Sequence, residues 1–413
     1  MKYLLTLALC ALCLAATVFA ADIAPSAADG SLWGSDMAAF NRQFAGARYA
    51  QVDEHTLRFT RKSSVKFGEL NLTELLVSFD PETKKVCLLQ GSVYNKGDDG
   101  PMEKEMFTDT LKSAVEALNT LTGVAGKPHR VSKRDAGIKL QATLWQTEDC
   151  AILLEAAASG KRKDYTSEFI RVAIGPDEEA LERGGSQDVT HRNALREKVK
   201  KEDNGDVWIE GIPMVDQGEK GYCVPATVSR VFAHYGMDGV DQHTLAALCK
   251  SSGANGTSTD VMARALGDIS RSFHMRVNPL DKITYADYIS AYNAAAKKLK
   301  KPLINPRREP MFDPDVLMEA RAGKDIMVRK WMKPITKAID AGLPVLWSVV
   351  LAFPEQGMQQ AGGGHMRLII GYNEEKGTII YSDSWGAGHE KKEMPAEQAC
   401  AMSQLRYILK PMR

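Results

Sequence analysis

Cys223 is the residue around which chemistry can be argued. It follows Gln217-Gly218-Glu219-Lys220-Gly221-Tyr222 and opens a segment in which Val224, Val228, Val231, Phe232 and Tyr235 recur at helical spacing, with Pro225 in a tolerant first turn and Gly236 as the stop. The pattern predicts a helix with Cys223 at its N-terminus. There the orphan backbone N–H groups and the helix dipole favour an anion, and so the thiolate over a thiol whose ordinary pKa is about 8.5. A thiolate nucleophile also needs a base or ion-pair partner, a group that orients this partner, and donors for an oxyanion. His365 lies between Gly362-Gly363-Gly364 and an apolar run closing on Gly371-Tyr372, which predicts a histidine at the start of a core strand. A second strand, Thr378 to Tyr381, leads into Ser382-Asp383-Ser384-Trp385-Gly386. Asp383 would then sit beside the histidine, accept its ring N–H and fix its tautomer, while Trp385 shields that bond from water. Each feature alone has a bland reading: a buried cysteine, a structural or exposed histidine, a glycine loop, an Asp-Ser-Trp-Gly turn. Their conjunction in this order is what points to nucleophilic chemistry.

These residues resemble the papain-like cysteine peptidases. In that family a glutamine six residues before the nucleophile serves the oxyanion hole, as Gln217 stands before Cys223; a histidine precedes an apolar run ending in Gly-Tyr, as His365 does; and an Asn-Ser-Trp-Gly motif appears here as Asp383-Ser384-Trp385-Gly386. Ile212-Pro213-Met214-Val215-Asp216-Gln217, then Cys223-Val224-Pro225-Ala226 and a helix ending in Tyr235-Gly236, is similar to the bacterial bacteriocin-leader (double-glycine) peptidase-like branch, whose third residue is Asp. The resemblance covers roughly residues 207 to 410. It implies Cys223 as nucleophile, His365 as general base, Asp383 as orienting residue and Gln217 as oxyanion donor, with Trp385 and Gly364 supporting. It also implies a helical lobe with Cys223 packed against a sheet lobe with His365 and Asp383, and no cofactor or metal. Lys220 and Val224 depart from the family pattern, where papain has a disulfide cysteine and a tryptophan. No transporter-like membrane segments follow, so the export role of the leader peptidases does not carry over.

Lys2, the apolar stretch Tyr3 to Leu14 and Val18-Phe19-Ala20 read as a secretory signal cut after Ala20, which makes a secreted or periplasmic, soluble mature chain the expectation. Lipidation at Cys10 or Cys13 is disfavoured by the leucine before each. The run Leu343 to Phe353 is too short to span a membrane and reads as a buried strand. The mature chain keeps Cys87, Cys150, Cys223, Cys249 and Cys400, an odd count in a compartment that permits disulfides. Two bridges, Cys87 with Cys150 and Cys249 with Cys400, or four ordinary thiols both leave Cys223 reduced. No cysteine or histidine spacing matches a zinc or haem site.

At 413 residues, 44% hydrophobic and 25% charged, the chain is long enough for two globular domains, and its net charge of +1 gives no electrostatic reason to expect nucleic acid. The fold class expected is α+β, a papain-like two-lobe cysteine peptidase domain at 207–413 preceded by a separate α+β domain at 31–175, with 176–206 as a charged linker. That linker contains Gly184-Gly185-Ser186 and the run Arg196 to Asp203. In the first domain, strands are expected at Leu70 to Phe79, Lys85 to Tyr94, Ile138 to Gln146, Ala151 to Ala157 and Ser167 to Ile174, and a helix from Met106 to Leu121 ending at Gly123. It carries no catalytic constellation. Two roles are open for it, an inhibitory pro-region or a binding module. Papain-family pro-regions are largely helical, so the sheet-rich pattern favours the binding module. Helices are expected around Tyr285 to Leu299 and Asp313 to Asp340, between the two parts of the site.

The partner expected is a peptide or protein substrate. Transglutaminase-like and cell-wall amidase-like enzymes also order Cys before His, but with a separation usually much shorter than the 142 residues here. The alternative outside catalysis is an idle papain-fold binding protein.

Overall fold

The computed structural model describes residues 21–63, 65–130, 139–160, 164–183, 192–237, 240–249, 251, 261, 264–267, 273, 275–281, 283–305, 311–353 and 364–412. The signal segment, Gly184-Gly185 and Gly362-Gly363 therefore lie outside the described residues. Mixed helix and strand content makes the protein α+β.

In the N-terminal half a short parallel pair, β1 (Ala21–Asp22) with β4 (Val65–Lys66), sits beside an eight-stranded antiparallel sheet. The sheet comprises β2 (Ala50–Asp53), β3 (Thr56–Thr60), β5 (Glu74–Phe79), β6 (Val86–Asn95), β7 (Lys127–His129), β8 (Lys139–Gln146), β9 (Ala151–Ser159) and β10 (Thr166–Gly175), in the order β2-β3-β5-β6-β10-β9-β8-β7. Alternation does the positioning: Leu57 and Phe59 on β3, and Leu75, Val77 and Phe79 on β5, are all buried, as the two-residue period of a half-covered strand requires. The same core takes Phe107, Ala114 and Leu118 from the helix Lys104–Thr122, which ends at Gly123 in the left-handed region at φ 69°. Ile23, Ala24 and Ala27 are buried in this core too. Residues 21–30, ahead of the expected boundary at 31, thus belong to this half as well, because an apolar turn there fills the sheet's core.

The stretch expected to be a charged linker is more structured than its charge suggests. It contains the helices Glu178–Arg183 and Arg192–Glu197, and β11 (Val199–Lys201) lies within it. β11 pairs with β12 (Asp206–Ile209), which pairs with β15, so residues from Val199 onward form the edge of the second sheet. Lysines on an exposed edge strand keep it from pairing with other chains, and read in sequence as a solvated run.

The second sheet runs β11-β12-β15-β14-β18-β13, with β16 pairing β15 and β17. Here β13 is Met275–Pro279, β14 Val345–Val350, β15 Gly364–Asn373, β16 Thr378–Ser382, β17 Lys392–Pro395 and β18 Ser403–Pro411. Every residue of β14 is buried, which is why its sequence is apolar but for Ser348, whose hydroxyl bonds Gln404. The helix Cys223–His234 has buried residues almost throughout, and its Val224, Val228, Val231 and Phe232 share one hydrophobic core with β14, β15 and β16. Helix Tyr285–Leu299 begins at a capping box formed by Thr284 and Asp287. The helical stretch expected over 313–340 is two helices, Pro314–Arg321 and Asp325–Ile339. Gly323 lies in the break between them.

β15 is the hub, paired with β12, β14 and β16. Leu368 at its centre has 0% exposure. Leu368→Ala is therefore expected to lower unfolding free energy by about 2–5 kcal/mol. Urea denaturation monitored by tryptophan fluorescence measures this.

Candidate active site

Cys223 begins its helix, as its pattern predicted, with Tyr222 at the cap and no side-chain cap bond. Four residues on and on the same face, the Thr227 hydroxyl donates to the Met366 carbonyl at 3.2 Å. This bond anchors the helix to β15 beside His365 and brings the thiol to the imidazole, which takes a side-chain hydrogen bond with Cys223. His365 Nε2 is 2.6 Å from Asp383 Oδ1, leaving Nδ1 as the nitrogen for the thiol.

Asp383 directly follows β16. The register pairs Leu368 with Ser382, so one step further along Asp383 comes alongside Arg367. Arg367 Nε donates to Asp383 Oδ2 at 2.8 Å, and the Ser384 backbone N–H donates to Oδ1 at 2.8 Å. Arg367 and Asp383 are both fully buried. Burial alone would push the Asp383 carboxyl up, yet the charge and hydrogen bond of His365, then Arg367 and the Ser384 N–H, hold it below its ordinary value. The imidazole is governed by the mirror balance. Burial disfavours the imidazolium, but Asp383 and then Cys223 outweigh it and raise His365 to about 9. The pair is thus imidazolium with carboxylate over the neutral range. The histidine's contribution to stability is complete below its ordinary value and is lost as pH rises through about 9, while that of the lowered Asp383 carboxylate is lost in acid.

Trp385 stacks on the His365 ring, centroids 4.5 Å apart and planes at 18°. Gly364 is exposed and pairs with Val350 at the start of β15. Gln217 is nearly buried, and it is tied to the same turn from the other side: its backbone N–H donates to Ser384 O at 2.9 Å, and its Oε1 accepts from the Ser384 hydroxyl at 2.8 Å. Its Nε2 donates to Lys220 O at 3.3 Å, using one of the two amide hydrogens. All four expected catalytic residues therefore converge.

Three contributors escaped the motif reading. Arg367 is two residues beyond His365 on one strand, a spacing that puts both on one face. Arg230, seven residues after Cys223 on its helix, donates to the carbonyls of Pro213 and Asp383 at 2.8 Å each and to the Ser382 hydroxyl. Ser384 sits inside the quoted motif and links it to Gln217. For Arg367 and Arg230 the period of the element was the available signal, and for Ser384 it was the motif itself.

The five described cysteines are free thiols, so the two suggested bridges are absent. Burial pushes Cys249 up to about 12 and Cys400 up to about 11, and it raises Cys150 as well, which makes all three poor nucleophiles. Cys223 is partly exposed and stands beside an imidazolium. Among the described residues no group of three His, Cys, Asp or Glu side chains could hold a metal ion, and no helix is long and apolar enough to cross a membrane.

No curated protein matches the chain in sequence. Residues 209–409 match the model of the Peptidase_C39 like family, a span that begins at the end of β12 and takes in the Cys223 helix, β15 and the Asp383 turn. Through that segment the chain is related to the papain-like C39 cysteine peptidases.

Proposed function

We propose that this protein is an exported cysteine peptidase that cleaves peptide bonds through Cys223, His365 and Asp383, with Gln217 and the Cys223 backbone N–H as oxyanion donors. The observation that carries the reading is the buried 2.6 Å bond between His365 and Asp383, made by an imidazole whose other side meets the Cys223 thiol. The Cys223 thiolate attacks the scissile carbonyl carbon, and the carbonyl oxygen takes up negative charge against the two donors. As the C–N bond breaks, the His365 imidazolium gives its proton to the leaving amine, and a thioester remains on Cys223. Water attacks that thioester with the now neutral His365 taking its proton, and the carboxylic product leaves as the ion pair is restored. Asp383 keeps the ring oriented throughout. The signal segment at 1–20 and a two-lobe arrangement of the 207–413 part belong to the same reading. In it the N-terminal sheet, 31–175 as expected from the sequence, is an accessory domain.

Cys223→Ala is expected to reduce peptide hydrolysis to background with an unchanged unfolding midpoint, because a helix N-terminus accepts alanine and only the nucleophile is lost. Retained turnover would overturn the reading. Gln217→Ala is expected to lower kcat about a hundredfold at nearly constant KM, as for loss of one oxyanion donor. The third expectation follows from the raised histidine: a leaving amine needs the imidazolium, so kcat/KM should fall on the alkaline side with a limb near 9. Asp383→Asn removes the largest influence raising that pKa and should move the limb to lower pH. A limb that stays in place, measured on one fluorogenic peptide across pH, would separate the alkaline fall from His365.

A further inference from the structure

The segment that carries Gln217 to Cys223 is held from two sides. Gln217 faces the Ser384 turn, while Asp216, Gly218, Lys220 and Tyr222 meet the N-terminal sheet and the helical turn after β6. The Lys220 side chain is completely buried, with Nζ 3.1 Å from Asp98 Oδ2 and 3.3 Å and 3.4 Å from Glu74 Oε2 and Oε1. Glu74 lies on β5, and Asp98 in the turn of helix after β6. Arg58 of β3 pairs with Glu74 and reaches Asp216 Oδ2 at 3.3 Å. Burial opposes the Glu74 charge, but Lys220 first and Arg58 second bring its carboxyl down to about 2.

Shape agrees with charge. Gly218 has φ 70°, and a Cβ there would stand 2.2 Å from the Arg58 guanidinium. A Cβ on Gly97 would stand 2.5 Å from the ring of Tyr222, the residue preceding the nucleophile. A buried ammonium whose carboxylate partners among the described residues, Glu74 and Asp98, lie across an interface has one favourable position, since leaving it unpaired costs far more than an exposed pair contributes. The carbonyl of this same Lys220 accepts from the Gln217 amide.

We propose that Glu74, Asp98 and Lys220 are positioning residues for the oxyanion donor: the N-terminal sheet acts in cis as a buttress that sets Gln217 relative to Cys223. This rests on the peptidase reading and names what the N-terminal half contributes to it. The buttress touches neither substrate nor the imidazole, so its loss should act through Gln217 alone.

The experiment uses the full chain, with Lys220→Met, Glu74→Gln and the milder Asp98→Asn, whose site is partly exposed, each alone and combined with Gln217→Ala. Expected is a tenfold or greater fall in kcat at constant KM, with no further fall when the change is added to Gln217→Ala. The rate at which iodoacetamide alkylates Cys223 should be unchanged, because alkylation forms no oxyanion. Losses that multiply with that of Gln217→Ala, or a rise in KM alone, would overturn the proposal. Hydrogen exchange read at residues 212–221 serves independently of catalysis: faster exchange is expected in Lys220→Met and Asp98→Asn, and unaltered protection would refute the buttress even if the wild-type protein hydrolysed nothing. Absence of wild-type hydrolysis together with faster exchange in the variants would count against the peptidase reading alone.

Discussion

A carboxylate with no solvent exposure stays ionised only if donors replace its water, and Asp383 is such a group. Two of the donors that hold it carry charge, the His365 ring and the Arg367 guanidinium, and the third is the Ser384 N–H. The arrangement of the C-terminal half follows from keeping this set together. β15 must supply His365 and Arg367 on one face, β16 must end where Asp383 comes alongside them, and the cysteine helix must bring both a thiol to the ring and Arg230 to the turn's carbonyls. Buried charges contribute little net stability, so what this network provides is geometry. Neutralising Asp383 removes the one carboxylate that the His365 ring and the Arg367 guanidinium both bond.

The aromatic shell has the same logic. Trp385 stacks on His365, and the Arg367 guanidinium lies over both Tyr381 and Trp385, 4.9 Å and 5.5 Å from the ring centroids. Two cations share one aromatic shell beside one carboxylate. A low local dielectric strengthens the His365–Asp383 interaction, and that interaction raises the imidazole although burial acts against it.

The legible parts of the molecule were those with a local signature. The helix at Cys223, the strand at His365 and the turn at Asp383 were readable because period, cap and motif lie within a few residues of one another. The helix Tyr285–Leu299 and the strands β8, β9 and β10 were readable for the same reason. Features set by distant partners were not. Lys220 stands out in the sequence only as a departure from the family pattern, and its carboxylates are 122 and 146 residues away. Val199 to Lys201 reads as a linker, yet it is an edge strand, since edge strands carry the charge that linkers do. The first turn at Ile23 to Ala27 was too short to show a period. The cysteine count allowed bridges that the thiols do not form, because buried apolar sites suit a free thiol equally well.

The segment between Asp216 and Tyr222 joins these two kinds of feature. One side of it belongs to the local motif, with Gln217 bonded to Ser384; the other belongs to the long-range interface, with Lys220 bonded to Glu74 and Asp98. The segment turns at Gly218, φ 70°, and a turn can present neighbouring side chains to two surfaces. Such a segment couples them as well, since neither surface can shift without moving the backbone they share. A module on a free tether would leave Lys220 in water and Gly218 without Arg58 against it. Instead the lysine is buried and the glycine is filled against by Arg58, so the N-terminal sheet is continuous with the site rather than appended to it.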